Sequence, residues 1–259
     1  MLGETPIRVA LVVLALNVFT STLWADRHPN KNSEILMKHG YSITLEGMVA
    51  ALKDSDGEVR DRAASELANQ KMTAAIPDIR AALGEERDPD IQVNLAYSLA
   101  QLGDKEGFTA LKHSCDTAAA SPRLKAALYM LRFNDESCFS AVKSVLESRS
   151  EGDHEFVVNA MSLVPSFRRV SSQDKRELIM LTARELNDPT PLVRVTASQI
   201  LEKVGDAEVI PSLEKAILDE KDPVVRSSMQ VELDKLKERA KPTTSNGPDR
   251  NSSGAWRTS

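Results

Sequence analysis

The sequence predicts an all-α chain, an α-solenoid of about six antiparallel helix pairs. Three observations predict it. A short phrase recurs as "SDGEVRDRAA" from Ser55, "DPDIQVNLA" from Asp88, "TPLVRVTAS" from Thr190 and "DPVVRSSMQ" from Asp222. Its spacing stays in the thirties, the period at which helix pairs stack into a solenoid. Aromatic residues are only 4% of the chain while Ala and Leu are plentiful, and no segment alternates apolar with polar residues as a half-buried strand would.

The second helix of each pair is the easiest to place. Its apolar anchors are Val59, Ile91, Leu124, Phe156, Val193 and Val225, at intervals of 32, 33, 32, 37 and 32. Four residues on stand Ala63, Leu95, Leu128, Ala160, Ala197 and Met229; eight on stand Leu67, Leu99, Arg132, Val164, Leu201 and Leu233. Steps of four and eight lie on one helical face, so each row is a core stripe, broken only by Arg132. The starts recur too. Asp88-Pro89, Ser121-Pro122, Thr190-Pro191 and Asp222-Pro223 put a side-chain acceptor before a proline, a capping residue ahead of a first helical position that needs no N–H. Asp56 caps the first copy without a proline.

The first helices precede these. "TAAIPDIRAAL" (Thr73 to Leu83) matches "AEVIPSLEKAIL" (Ala207 to Leu218), with Pro77 and Pro211 in the first turn, and "LEGMVAAL", "EGFTALKHSC", "SCFSAVKSVL" and "KRELIMLTARELN" fill the same role. Gly103-Asp104 and Gly205-Asp206 close second helices at matching places, as C-caps do. The expected repeat domain is 44–240, with a linker and short helix at 26–43.

These residues resemble the HEAT-repeat family, especially the short HEAT-like repeats of phycobilin lyases. The family motif sets an acid five residues before the anchor and an Arg just after it. Here the matching pairs are Asp54 with Arg60, Asp188 with Arg194 and Glu220 with Arg226. Glu86 with Gln92 keeps half the motif; Ala119 with Lys125 and Glu151 with Val157 depart from it. The resemblance implies a structural task for these pairs: bonding backbone groups at the helix corner and holding neighbouring repeats in register.

The ends differ in kind. "VALVVLALNVF", Val9 to Phe19, follows Arg8, and "LWA" ends at Ala25, the layout of a secretory signal over 1–25. The alternative is an uncleaved membrane anchor. The tail, 241–259, has too little apolar content to fold and is expected to be disordered. Cys115 and Cys138 fall at the end of one first helix and the start of the next. Parallel stacking of first helices would leave them on the order of 12 Å apart along the axis, beyond the ~7 Å reach of a disulfide. Two free, buried thiols are expected.

Little in the sequence points to chemistry. The net charge of −5 comes without a basic stripe, against nucleic acid as partner. His28, His39, His113 and His154 show no helical metal-ligand spacing, and the single His154-Glu155 dipeptide falls short of the several that iron-binding HEAT-like hydroxylases use. No phosphate loop or activated nucleophile stands out. The expectation is no cofactor, no metal and no catalytic residue.

What remains is a surface. Positions three and ten after each anchor should project from the concave side of a solenoid, where Asn and Gln side chains could bond the backbone of an extended peptide, as in the related armadillo repeats. Asn94, Gln101, Asn134 and Asn159 are the candidate partner-binding residues. The expected function is a non-enzymatic, exported (periplasmic or secreted) scaffold that binds another protein or peptide segment, itself a monomer and on a membrane only if 1–25 stays attached. The alternatives are a subunit of a lyase-type HEAT-repeat enzyme and a membrane-tethered assembly factor.

Overall fold

The structure, a computed structural model, describes residues 31–148 and 154–241. The expected signal segment and all of the tail beyond Lys241 lie outside the described residues. Within them every regular element is helical: α1 Lys31–Lys38, α2 Leu45–Ala51, α3 Gly57–Asn69, α4 Ile76–Glu85, α5 Pro89–Gln101, α6 Lys105–Thr117, α7 Ala120–Arg132, α8 Phe139–Glu147, α9 His154–Leu163, α10 Ser172–Arg184, α11 Pro191–Val204, α12 Ile210–Asp219 and α13 Pro223–Arg239. From α2 onward these form the six expected pairs, and the fold is the helical solenoid class that the period predicts. No described helix is long and apolar enough to cross a membrane.

The chain divides within α8 into two compact units, residues up to Val145 and residues from Leu146. In the first unit α3 packs on α2 and α5, and α5 packs on α4, α6 and α7. Each second helix therefore touches its own first helix and the second helices on either side, the nearest-neighbour order of a solenoid. α1 lies against α3 as a second helix would, with Leu36 fully buried in the same core as Met48, Leu67, Ile79 and Leu99. The short helix expected in the linker is thus half of a leading pair that covers the end of the stack. In the second unit α11 packs on α9, α10 and α13, and α12 on α13.

The caps follow the expectation in three copies. The carboxylates of Asp56, Asp88 and Asp222 accept N–H groups from the first turns of α3, α5 and α13. Copy three is different. The N-cap of α7 is Ala119, without a side-chain bond, and Ser121-Pro122 lie inside the first turn. In the other copies the N-cap stands three residues before the anchor, so the true anchor here is Pro122, not Leu124. Pro122, Ala126 and Met130 are all buried, whereas Leu128, expected in the core row, is 37% exposed. Shifting the register by two residues removes the anomaly of Arg132: it was never in the core stripe.

Second-helix ends in the first unit share one device. Lys71, Gly103 and Asn134 adopt positive φ of 56°, 81° and 60°, and the next amide reaches back to a carbonyl five residues earlier, as Asp135 N–H does to Met130. Gly205 is not such a residue. Its φ is −70°, and a Cβ there would sit 2.6 Å from the Leu201 carbonyl oxygen, so close approach, not a left-handed turn, requires glycine.

The expectation of free thiols is wrong: Cys115 and Cys138 form a disulfide with Cα atoms 5.7 Å apart. Phe108, early in α6, packs on Phe133, just past the end of α7, with ring centroids 4.8 Å apart, which makes the two helices antiparallel. From there the chain does not turn in place. It runs back along α6 by seven residues, about 10 Å, so that Cys138 meets Cys115 before α8 begins. The error lay in treating first helices as level with one another.

Candidate functional site

Two kinds of polar constellation are built on this frame, one at the corners of the pairs and one on the face of the second helices. At the first corner the Arg60 guanidinium donates to the Glu86 carboxylate at 2.8 and 2.5 Å and to the carbonyls of Asp54 and Ser55 at 2.8 and 3.1 Å. Twenty-six residues separate Arg60 from Glu86, and the same separation joins Arg194 to Glu220, at 2.6 and 3.0 Å. Arg194 likewise donates to the carbonyls of Asp188 and Pro189. The motif arginine therefore bonds the backbone of its own corner and the acid of the following copy, which ties successive repeats together.

The remaining corners vary the theme. Gln92 donates to the Glu86 carbonyl at 2.6 Å where an Arg would stand, and Arg226 donates to the Glu220 carbonyl. Asp54, with no repeat before it to supply an Arg, accepts the Tyr41 hydroxyl at 2.8 Å and the Asp56 amide at 2.7 Å. Asp188 accepts the Thr190 amide, and His154 Nδ1 lies 3.5 Å away.

These bonds set the acids' pKa values. Burial works to raise that of Glu86, but the amides of Asp88 and Arg87 and the Arg60 guanidinium outweigh it and hold the group below its ordinary value. The Arg194 bond does the same to Glu220, against burial. The Asp56 amide and then the Tyr41 hydroxyl lower Asp54.

Shallow clefts open at both Arg–Glu corners, one lined by Asp54, Arg60 and Glu86, the other by Asp188, Arg194 and Glu220. Their recurrence at equivalent places marks them as a product of the repeat, not as a ligand site.

The second constellation lies on α3, α5 and α7. Lys125 donates to Asp90 at 2.6 Å, Tyr129 to the Asn94 carbonyl oxygen at 3.0 Å, and Arg132 to the Tyr97 hydroxyl at 3.2 Å, each pair 35 residues apart. A constant separation means that α5 and α7 run parallel, with three rungs between them. Asn94 also bonds Asp61 of α3, a buried carboxylate whose pKa burial pushes up. The Tyr97 and Tyr129 rings stack at 3.9 Å, the Arg132 guanidinium sits 5.5 and 5.4 Å from their centroids, and Phe133 adds an edge 5.7 Å from Tyr97. Two of the chain's three tyrosines are spent here.

Of the residues singled out in the sequence, Asn94 and Gln101 lie on α5, Asn94 half-buried and bonded as described, Gln101 exposed at the helix end. Asn134 is the left-handed residue that closes α7, and the register shift takes it off the face; Lys125 and Arg132 hold the places assigned to Ala127 and Asn134. Asn159 is exposed on α9, in the second unit. Tyr97, Tyr129, Arg132 and Asp61 were missed as site residues. The one signal for them was Arg132 itself, a charge in an otherwise apolar row.

The equivalent face of the second unit is built from α11 and α13. It presents Leu192, Thr196 and Gln199 on one helix and Val224, Ser228 and Val231 on the other. Leu192, Val224 and Val231 are 64%, 75% and 49% exposed, although Lys203 and Lys235 keep the far end basic. Among the described residues no three His, Cys, Asp or Glu side chains converge as a metal cage requires.

Comparison with known proteins agrees with this frame. Residues 45–132, the first three pairs, match the family of HEAT repeats. No curated protein matches the sequence. Among solved structures, the CpcE–CpcF complex of phycocyanin lyase from Nostoc sp. PCC7120 is similar at 21% identity and a TM-score of 0.44, over 80% of this chain and 79% of that one. Human deoxyhypusine hydroxylase, in complex with glycerol, is similar at 16% identity and a TM-score of 0.28, over 74% and 84%.

Proposed function

We propose that this chain is a non-enzymatic, exported scaffold whose first unit holds an extended segment of another protein across the face of α3, α5 and α7. The observation that carries the reading is the set of rungs from Asp61 through Asn94 to Tyr129 and from Tyr97 to Arg132. They hold amide, hydroxyl, aromatic and guanidinium groups in place before a partner arrives, so little side-chain entropy is lost on binding. Tyr and Arg are also the side chains that most often anchor protein interfaces. Asn94 and Gln101 then supply bonds to the segment's backbone, and Tyr97, Tyr129 and Arg132 the contact area.

Export is supported by the Cys115–Cys138 disulfide, a bond that persists in oxidising compartments, together with the basic, apolar and small-residue layout of the first 25 residues. Crosslinking in the intact cell envelope, followed by mass spectrometry, tests both parts. Crosslinks from a partner should fall on α5 and α7 and disappear in Tyr97→Ala/Tyr129→Ala. Recovery of the chain from the cytosol with residues 1–25 attached, or partner crosslinks confined to other surfaces, would refute the reading. The monomer expectation is checked by sedimentation of the purified chain.

A further inference from the structure

Arg132 stands apart from the other arginines that carry the fold of the first unit. Arg60 pairs with Glu86, Arg62 with Glu58 and Asp61, and Arg80 with Asp104 and Glu106. Arg132 has no carboxylate partner among the described residues. Its neighbours are the two stacked tyrosine rings and the Tyr97 hydroxyl, and the Tyr97 bond leads in raising its pKa. The side chain is nevertheless exposed and held still: the rings flank the guanidinium and one Nη1 hydrogen is committed to Tyr97. Four of its five N–H groups remain to be satisfied by water or a ligand. In a chain of net charge −5, a fixed arginine left without an acid on the binding face is a vacancy for a negative charge from outside.

From this geometry we infer that Arg132 is the anchor for a side-chain carboxylate of the bound segment, so that the partner is an extended peptide with an Asp or Glu set beside a backbone held by Asn94 and Gln101. The inference rests on the peptide-binding reading above. A carboxylate accepts two parallel N–H bonds from a guanidinium, and the planar fork held on the rings is already oriented to give them. The aromatic shelf limits how far the guanidinium can retreat into water, which makes the pair more selective than one on a free surface arginine.

The test is selection of peptides from a random library displayed on phage, using the full-length, oxidised chain as bait. The selected peptides should share an Asp or Glu at a fixed place. A peptide resynthesised with that residue as Asn or Gln should bind at least about tenfold more weakly. Arg132→Gln should show the same loss with the acidic peptide and no further loss with the neutral one, while Arg132→Lys recovers part of it. Because neutralising the peptide leaves the protein untouched, a folding defect in the variant cannot mimic the result. Peptides selected without an acidic residue, or an acidic preference that survives Arg132→Gln, would overturn the inference and leave peptide binding standing. Failure to select any peptide on the wild-type chain would overturn both.

Discussion

The two units use one corner and two different faces. Arg60–Glu86 in the first and Arg194–Glu220 in the second are the same device at the same 26-residue separation, down to the pair of carbonyls that each arginine also bonds. The faces of their second helices have little in common. On α5 and α7 the side chains bond one another and stack. On α11 and α13 the equivalent places hold Leu192, Val224 and Val231, open to solvent. The corner must satisfy backbone groups at each tight turn, so its chemistry is constrained wherever a pair meets the next. The face has no such duty and can be given over to recognition.

The disulfide is the sharpest way to separate the units. Replacing both Cys115 and Cys138 by Ser should destabilise the first unit by about 3 kcal/mol, the scale for a bridge closing a loop of this size. Hydrogen exchange should show the loss in residues 31–145 and leave α11 and α13 unchanged. An equal loss in both units would mean that they unfold as one body.

The corners should behave alike. Arg60→Ala and Arg194→Ala should each cost about 2 kcal/mol in denaturant unfolding at pH 7, since each strands a nearly buried glutamate. Glu86 and Glu220 have pKa values below their unfolded ones, so this stabilisation is complete above the ordinary carboxylate range and lost as pH falls through the lowered values. The gap between each variant and the wild type should therefore narrow below about pH 4. A gap that stays constant into acid would show that the arginines act by packing alone.

Asp61 has the opposite sign. Burial raises its pKa, so the folded state prefers the neutral carboxyl; stability from this group is present below the unfolded pKa and lost as pH rises through the folded one. Asp61→Asn, neutral at every pH, should be more stable than wild type by up to about 1 kcal/mol at pH 7, the advantage fading in acid. A loss at pH 7 would mean that Lys125 and Arg62 depend on the charge more than burial opposes it. The smallest effect belongs to the second face. Leu192→Ser and Val224→Ser should change stability by no more than about 0.5 kcal/mol, because exposed side chains have little to lose.

Much of the frame was legible in the residues. Asp56, Asp88 and Asp222 announce helix starts because a capping bond is local, and the arginine after the anchor marks the corner for the same reason. The site was less legible. Copy three lacks a capping side chain at its true start, and Ser121-Pro122 imitates one two residues later, so Asn134 was read onto the face in place of Arg132. The disulfide was missed because it depends on the path of the link from Phe133 to Cys138, which no spacing encodes.

The sequence by itself determined six helix pairs, their period, most of their caps and the arginines that bind their corners, because each depends on groups within a few residues or on a repeated interval. Only the tertiary structure decided that Cys115 meets Cys138, that α1 covers the first pair and that Tyr97, Tyr129 and Arg132 gather on one face. Those contacts join residues 23 to 35 positions apart, through the relative height of neighbouring helices. That height is set by packing, where a shift of two residues changes which side chains meet and leaves the helical pattern of each segment intact.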